Sequence, residues 1–171
     1  ESAIQKIILP PFPFLHAVSQ LINNRPDFNL GAQNAYTKES GAFTGEVSVL
    51  ALQSVGCQFV LCGHSERRQY FREDSHFLRE KVDVILSSGL QPIFCVGEKL
   101  EDRQKGVHFN LIEAQLSEAL FHLDEERMKR VIVAYEPVWA IGTGETASPD
   151  QAQEMHSFIR DVIGSKFGNT V

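Results

Sequence analysis

The chain has 171 residues, of which 43% are hydrophobic and 22% are charged, and its formal net charge is -6. This composition is ordinary for a globular protein with one sizeable core. Because acidic and basic residues are interspersed, the charge argues against non-specific binding to nucleic acid or to a membrane surface. No apolar stretch approaches the ~20 residues that a membrane-spanning helix needs.

The cysteines and histidines argue against disulfide and metal chemistry. Cys57, Cys62 and Cys95 are scattered and odd in number, so we expect reduced thiols in a cytoplasmic protein. The histidines show none of the short spacings that are typical of metal ligands. We therefore expect neither a metal site nor a cofactor.

Short apolar runs and helical apolar stripes alternate along the chain. The runs predict strands at residues 7–9, 28–33, 59–62, 92–96 and 131–135. The stripes predict helices at about residues 12–22, 47–54, 74–88, 107–121 and 148–163. About five repeats of strand and helix imply right-handed crossovers and a parallel sheet, which is the α/β class. Since no linker divides the chain, we expect one domain over residues 1–171.

Two of the predicted helices carry clear end signals. Asp74 can cap the first, whose apolar stripe is Leu78, Val82, Ile85 and Leu86. The second begins with Ser148, Pro149 and a glutamine at the reciprocal capping position, and Gly164 is predicted to end it. Its predicted buried face is Ala152, Met155, Ile159, Val162 and Ile163.

The segment from Val131 to Ala147 is the most informative part of the sequence. Its first five residues form a continuous apolar run, which predicts a strand buried on both faces. Glu136 follows at the end of that strand, and Pro137 cannot continue the ladder. A carboxylate at the carboxyl end of a parallel strand lies where α/β proteins build ligand sites.

The residues after Pro137 are typical of a lid. Trp139, Ala140 and Ile141 form an apolar tip, and Gly142-Thr143-Gly144 supplies flexible backbone with N–H groups suited to an anion such as phosphate. A Gly-rich turn beside an exposed acid, with Trp139 in the core, is the alternative interpretation of the same residues.

Two other predicted strands also end in polar residues, Gln33-Asn34 and His64. In a parallel sheet these ends share one face with Glu136, so the side chains could converge. A carboxylate and an imidazole can together move a proton next to a carbonyl. Because His64 precedes a segment that can begin a helix, a neutral imidazole acting as donor is favoured. A structural His64, beside an ion-pair cluster of Glu66, Arg67 and Arg68, remains the alternative.

Several motifs occur in an order that is specific to one family. They are residues 31–34 (GAQN), 40–46 (SGAFTGE), 63–68 (GHSERR), 95–98 (CVGE) and 134–147 (AYEPVWAIGTGETA). Together they resemble the triosephosphate isomerase family, and its bacterial form most of all, over essentially the whole chain. The resemblance implies a (β/α)8 TIM barrel and an aldose–ketose isomerase of glycolysis and gluconeogenesis, acting on dihydroxyacetone phosphate and glyceraldehyde 3-phosphate.

The resemblance also implies a role for individual residues. Glu136 is expected to act as the base and neutral His64 as the electrophile, a division of labour that is established for this family. Ser65 and Glu66 are expected to support them. Gly142 is expected to hold the substrate phosphate within a lid and hinges made of Pro137, Val138, Trp139, Ala140, Ile141, Gly142, Thr143, Gly144, Glu145, Thr146 and Ala147. Gln33, Asn34 and Thr44 are expected in the region that contacts a second subunit, which implies a homodimer.

Two features depart from the family pattern. The trailing hinge, usually Lys-Thr-Ala, is Glu145-Thr146-Ala147 here, which reverses a charge on the lid. The chain is also shorter than the ~250 residues of such barrels. It matches the second strand through the sixth helix of the family, so we expect about five of eight strand–helix units. An open remnant exposes sheet edges, and we expect this chain alone to have little isomerase activity.

Two alternatives to a triosephosphate isomerase remain. Another phosphate-binding barrel isomerase or aldolase would need a Schiff-base lysine or metal ligands at strand ends, whereas Lys81, Lys99 and Lys105 are predicted in helices or loops. A catalytically inactive fragment or binding module derived from the barrel is the other alternative. Binding of a phosphorylated enediolate mimic without turnover would favour that module.

Overall fold

The computed structural model describes residues 4–168 and 171. Its strands form one sheet in the sequential order β1-β2-β3-β4-β5. These strands are β1 (Lys6–Ile8), β2 (Phe28–Ala32), β3 (Phe59–Cys62), β4 (Gln91–Val96) and β5 (Ile132–Tyr135). The ladders between β1 and β2 and between β2 and β3 are parallel. Sequential order with a helix after each strand is the arrangement that right-handed crossovers produce, so the predicted α/β class is confirmed.

The helices are α1 (Leu15–Ile22), α2 (Val49–Ser54), α3 (Ser65–Tyr70), α4 (Ser75–Ser87), α5 (Leu100–Gln104), α6 (His108–Leu120), α7 (Glu125–Met128) and α8 (Pro149–Phe167). Five of them, α1, α2, α4, α6 and α8, lie close to predicted positions. Helix α3 begins in the segment after His64 that could begin a helix, and the short helices α5 and α7 were not predicted. Short 3-10 turns at Phe12–Phe14 and Val138–Ala140 complete the ordered elements. Within the described residues, no helix combines the length and the apolar character that crossing a membrane requires.

The chain forms two compact units, each with its own packed interior. The first contains Glu1–Cys62 and Glu80–Ile93, and the second contains Gly63–Arg79 and Phe94–Val171. Fully buried side chains of the first unit include Val49, Leu52, Phe59, Val60, Val82 and Ile85. Those of the second unit include Leu78, Phe94, Val96, Ile112, Leu116 and Met155. Strand β4 contributes its first residues to the first unit and its last residues to the second.

The predicted end signals are largely confirmed. The Asp74 carboxylate accepts a hydrogen bond from the Phe77 N–H at the start of α4. The apolar stripe of that helix is buried. At the start of α8, Ser148 and Gln151 each accept a hydrogen bond from the other's backbone N–H, which is the reciprocal capping box.

The predicted end of α8 at Gly164 is wrong. The helix continues through Gly164 to Phe167, and the chain leaves it at Gly168, whose φ is +87°. The N–H of Gly168 donates to the carbonyl of Gly164 at 2.8 Å. A glycine inside a helix costs only about 1 kcal/mol relative to alanine, which a helix of 19 residues tolerates. On the predicted buried face, Met155 and Ile159 are buried and the other three side chains are half-buried.

The prediction that the strand before Glu136 is buried on both faces is also wrong. Every residue of β5 is half-buried. Strand β5 is last in the strand order, with β4 as its sheet neighbour among the described residues. An apolar run therefore identifies the strand correctly, but its burial depends on what packs beside it.

Candidate active site

The Glu136 side chain lies at the carboxyl end of β5, as the sequence predicts. Its backbone N–H continues the ladder by donating to the Val96 carbonyl of β4 at 2.9 Å. Pro137 follows and ends the strand. The Glu136 side chain is 14% exposed, so it is largely shielded from water.

Ser65 binds both oxygens of the Glu136 carboxylate. The Ser65 N–H donates to Oε1 at 2.8 Å, and the Ser65 hydroxyl donates to Oε2 at 2.9 Å. Hydrogen bonds to a carboxylate are among the stronger ones in proteins. The sequence predicted Ser65 as a supporting residue, and the structure places it in direct contact with the carboxylate.

His64 is the N-cap residue of α3, directly after the turn that leaves β3. Its Nδ1 accepts the Glu66 N–H at 3.3 Å, and its Nε2 lies 3.3 Å from Glu136 Oε2. A ring nitrogen that accepts a backbone N–H carries no proton, so a neutral His64 has its proton on Nε2. The imidazole is therefore oriented to donate from Nε2, beside the carboxylate. This pair can transfer a proton near a polarised carbonyl.

Glu66, Arg67 and Arg68 were alternatively interpreted as an ion-pair cluster, and this interpretation is confirmed for Arg67. The ion pair of Arg67, at 2.7 Å, is with Glu73, whose side chain is buried. Glu66 is exposed, and its carboxylate lies 3.7 Å from His64 Nδ1. Arg68 donates to two backbone carbonyls, those of Gly63 and Cys95.

Residues 137–147, the predicted lid, form an exposed or half-buried segment. Val138–Ala140 makes a 3-10 turn. The Thr143 hydroxyl donates to the Trp139 carbonyl at 2.8 Å and accepts the Glu145 N–H at 3.2 Å. Gly142 and Gly144 have φ angles of +68° and +82°, and a Cβ atom on either would meet no atom within 4 Å. Open space beside left-handed glycines suits a segment that closes over a ligand.

Glu98 belongs to the candidate site, although its motif at residues 95–98 suggested no role for it. Its side chain is fully buried at the end of β4. Its Oε1 accepts hydrogen bonds from Tyr135 OH at 2.9 Å, from Trp139 Nε1 at 3.0 Å and from Arg103 Nη1 at 3.1 Å. Oε2 is buried and has no hydrogen-bond partner among the described residues. One carboxylate oxygen thus connects β5, the predicted lid and α5.

A sequence signal for Glu98 existed. It follows a buried strand in the same way that Glu136 does.

The surroundings of Glu98 also affect Tyr135. Burial raises the pKa of the Tyr135 hydroxyl, and the negative charge of Glu98 raises that pKa further. Tyr135 therefore remains a hydrogen-bond donor over the whole physiological pH range.

The residues predicted at the subunit contact belong to the first unit. The Gln33 amide donates to the Leu9 carbonyl at 3.0 Å, and the Asn34 Oδ1 accepts from the buried Lys81 ammonium at 2.6 Å. Thr44 is exposed. These contacts account for local packing, and the role of the three residues at a subunit interface stays a prediction.

The described residues offer neither a disulfide nor a metal-binding cluster. Cys57, Cys62 and Cys95 are buried, and the described residues contain no disulfide. Burial raises the pKa of Cys57 to about 11. In residues 4–168 and 171, no group of three or more histidine, cysteine or acidic side chains is arranged to hold a metal ion.

Sequentially ordered α/β units with polar side chains at the carboxyl ends of strands are typical of the (β/α)8 barrel class. The family model described as triosephosphate isomerase matches residues 1–171. The chain therefore belongs to the triosephosphate isomerase family, and its five strands are part of a (β/α)8 barrel. The resemblance inferred from the motifs is confirmed.

Curated relatives agree with this family and show how much of it the chain represents. A protein named triosephosphate isomerase from Cytophaga hutchinsonii is 52% identical over 168 residues, which are 98% of this chain and 66% of the relative. Proteins of the same name from Porphyromonas gingivalis and Flavobacterium johnsoniae are 52% and 49% identical, each over 96% of this chain and 65% of the relative. The chain thus spans about 65% of the length of these relatives.

Proposed function

We propose that the protein containing this chain is a triosephosphate isomerase, which interconverts dihydroxyacetone phosphate and D-glyceraldehyde 3-phosphate. The observation that carries the proposal is the 3.3 Å approach of His64 Nε2 to the Glu136 carboxylate. The names of the relatives supply the substrate class. With this activity the protein would act in glycolysis and gluconeogenesis, and we propose that it does so in the cytoplasm.

In the proposed mechanism, Glu136 removes a proton from the carbon next to the substrate carbonyl. His64 donates its Nε2 hydrogen bond to the carbonyl oxygen, where negative charge develops in the enediolate. Glu136 then delivers the proton to the former carbonyl carbon. The hydroxyl proton of the adjacent carbon passes by way of His64 Nε2 to the former carbonyl oxygen, so that a new carbonyl forms on the adjacent carbon. Ser65 binds both oxygens of the Glu136 carboxylate, and we propose that the carboxylate gives up at least one of these bonds when it moves to the substrate carbon.

The lid supplies phosphate binding and exclusion of water in this proposal. None of the hydrogen bonds found among the described residues uses the N–H of Gly142 or Gly144. We propose that Gly142 binds the phosphate through its N–H when residues 137–147 close. Closure protects the enediolate from side reactions with water.

We further propose that the complete protein is a homodimer in which the region around Gln33, Asn34 and Thr44 contacts the second subunit. Residues 1–171 would then form one part of a single barrel domain. This part of the proposal rests on the resemblance of residues 31–34 and 40–46 to the family motifs.

The test uses the product of the complete open reading frame that encodes this chain. We expect turnover of glyceraldehyde 3-phosphate, and we expect Glu136→Gln to lower kcat by at least about 100-fold, the usual contribution of a positioned base. Glu118→Gln, an exposed position on α6, is the matched control and should leave kcat unchanged. Equal kcat for Glu136→Gln and the wild type would remove the base assignment.

The binding-module alternative is tested with 2-phosphoglycolate, whose carboxylate imitates the enediolate. Binding of this compound by the wild type without any turnover would favour a module that has lost catalysis. The intact pairing of Glu136, His64 and Ser65 favours catalysis, because a binding module needs no base beside an imidazole donor.

A further inference from the structure

The turn between β3 and α3 determines where the His64 ring lies. Gly63 has a φ of +77°, which places it in the left-handed region. His64 follows with φ and ψ of -52° and 141° and caps α3. The peptide bond between these two residues is thus the last backbone unit before the imidazole. Any rotation of that peptide plane would move the imidazole relative to Glu136.

The Arg68 guanidinium holds this peptide bond. Its Nε donates to the Gly63 carbonyl at 2.7 Å, and its Nη2 donates to the Cys95 carbonyl at 3.0 Å. The backbone N–H of Arg68 also donates to the His64 carbonyl at 3.1 Å. One residue therefore fixes the carbonyl before His64, the carbonyl of His64 itself and the adjacent end of β4.

The contact between Arg68 and Gly63 leaves no spare space. A Cβ atom on Gly63 would lie 2.9 Å from Arg68 Nη2 and 3.2 Å from the Cys95 carbonyl oxygen. The guanidinium also lies over the Phe94 ring, 5.6 Å from its centroid. Because the guanidinium is planar and presents its donors in a fixed fork, it specifies the direction of both carbonyls, which a lysine ammonium cannot do.

We propose that Arg68 is a positioning residue for His64: by clamping the Gly63 and Cys95 carbonyls, it fixes the imidazole in the orientation that presents Nε2–H to the substrate oxygen. The inference rests on the proposed isomerase function for its kinetic consequences. Its structural content, the orientation of the His64 ring, is independent of that function. A displacement of about 1 Å in a catalytic group can lower a rate by about 100-fold.

The neighbouring residue Arg67 offers a matched control. It has the same side chain in the same helix, but its Nε pairs with Glu73 at 2.7 Å, and its guanidinium lies 4.2 Å from the Phe71 ring centroid. Its backbone N–H, which a substitution keeps, donates to the His64 carbonyl. Substituting Arg67 removes an arginine that pairs with a buried carboxylate, without removing the clamp on the Gly63 peptide.

The experiment compares Arg68→Met, Arg68→Lys and Arg67→Met in the product of the complete open reading frame. For each variant, kcat and KM are measured per folded molecule, with the folded fraction taken from urea unfolding. We expect Arg68→Met to lower kcat by about 10- to 100-fold with a smaller change in KM. Arg68→Lys, which keeps the positive charge but lacks the rigid planar fork, should recover part of that loss. Arg67→Met should lower stability and leave kcat per folded molecule within about twofold of the wild type.

A second readout reports on the His64 ring directly. In protein with 15N-labelled histidine, the wild type should show a His64 Nδ1 that is unprotonated and an Nε2 that is protonated. Arg68→Met should broaden or shift these signals, and Arg67→Met should not. This readout needs no turnover, so an inactive wild type would count against the proposed function while the 15N spectra still decide the role of Arg68.

Two results would overturn the proposal. One is a folded Arg68→Met that keeps the wild-type kcat and the wild-type His64 signals. The other is a loss of kcat in Arg67→Met equal to that in Arg68→Met. If Arg68→Met does not fold, Arg68→Lys decides, because a folded lysine variant with unchanged kcat and unchanged His64 signals shows that the guanidinium fork is not needed.

Discussion

Gly97 lies directly against the backbone of Glu136. A Cβ atom on Gly97 would overlap the Glu136 carbonyl oxygen and would lie 3.0 Å from the Glu136 Cγ. Gln115 of α6 fixes Gly97 on its other side, because its Oε1 accepts the Gly97 N–H at 3.1 Å and its Nε2 donates to the Gly97 carbonyl at 3.0 Å. The proposed base, Glu136, thus packs against Gly97, and the Gln115 carboxamide holds Gly97 in place.

We expect Gly97→Ala to displace the backbone of Glu136. Overpacking a buried position usually costs about 1–3 kcal/mol, and here the added carbon meets backbone that cannot rotate away. The loss of stability is measured by urea unfolding and the displacement of Glu136 by its effect on kcat. Both the free energy of unfolding and kcat of the complete protein should fall. Gly31→Ala is the control, because the atoms nearest its Cβ belong to the side chains of Leu9 and Ile7 and not to the backbone. Equal effects of the two substitutions would contradict this account.

Gln115→Leu should destabilise the protein by about 1–3 kcal/mol, since it leaves the N–H and the carbonyl of Gly97 without their partners. It should also lower kcat, because Gly97 supports the backbone of Glu136. Ser117→Ala on the same helix removes only a hydroxyl that donates to the Ala114 carbonyl at 3.3 Å, and it should change neither quantity by much. Wild-type stability in Gln115→Leu would show that water replaces the carboxamide without loss.

The proposed catalytic pair, His64 and Glu136, could be predicted from sequence because its signals are local. A strand that ends at Cys62 and a helix that begins at Ser65 place His64 at a helix N-terminus, and both ends were predicted from residues within one or two turns. The strand before Glu136 was predicted in the same way. The parallel sheet followed from the alternation of elements, whereas the sequential strand order followed only from the family resemblance, which implies a (β/α)8 barrel.

The contacts that hold the pair in place could not be predicted from local patterns, because the partners are distant in sequence. Ser65 was expected to support the pair only because of the family resemblance. Ser65 and Glu136 are separated by 71 residues. Glu98 is separated by 37 residues from Tyr135 and by 41 from Trp139. No periodicity or local motif encodes such contacts. The prediction that β5 is buried on both faces failed for the same reason. The burial of a strand depends on its neighbours in the sheet and not on the strand itself.

Glu98→Gln should loosen the lid. The glutamine keeps the shape of the side chain but loses the charge that strengthens the bonds from Trp139, Tyr135 and Arg103. We expect a stability loss of about 1–3 kcal/mol. Residues 1–171 contain one tryptophan, Trp139, so its fluorescence anisotropy reports motion of the lid. This anisotropy should fall in Glu98→Gln. Glu154→Gln, which removes a carboxylate bonded to the same Arg103 at 2.9 Å, is the control and should leave the anisotropy unchanged.

Tyr135 should make the protein lose stability in alkali. Its pKa is raised in the folded state by burial and by Glu98, whereas an unfolded tyrosine titrates near pH ~10. The unfolded state therefore releases this proton first, and stability falls as the pH rises above about 10. Tyr135→Phe should be less stable at pH 7, because Glu98 loses a donor, and its decline above pH ~10 should be less steep. Parallel pH profiles of unfolding for the two proteins would rule out this contribution.

Glu145 should weaken phosphate binding by the lid. It lies next to Gly144 in the segment proposed to close over the substrate, and its carboxylate has the same sign of charge as a phosphate. Near a protein surface, two unit charges a few ångströms apart interact by about 4 kcal/mol, and salt screens that interaction. Glu145→Lys should therefore lower KM for glyceraldehyde 3-phosphate, more at low ionic strength than at high. Glu118→Lys on the exposed side of α6 makes the same change in net charge. If both substitutions lower KM equally, net charge and not the position on the lid is responsible.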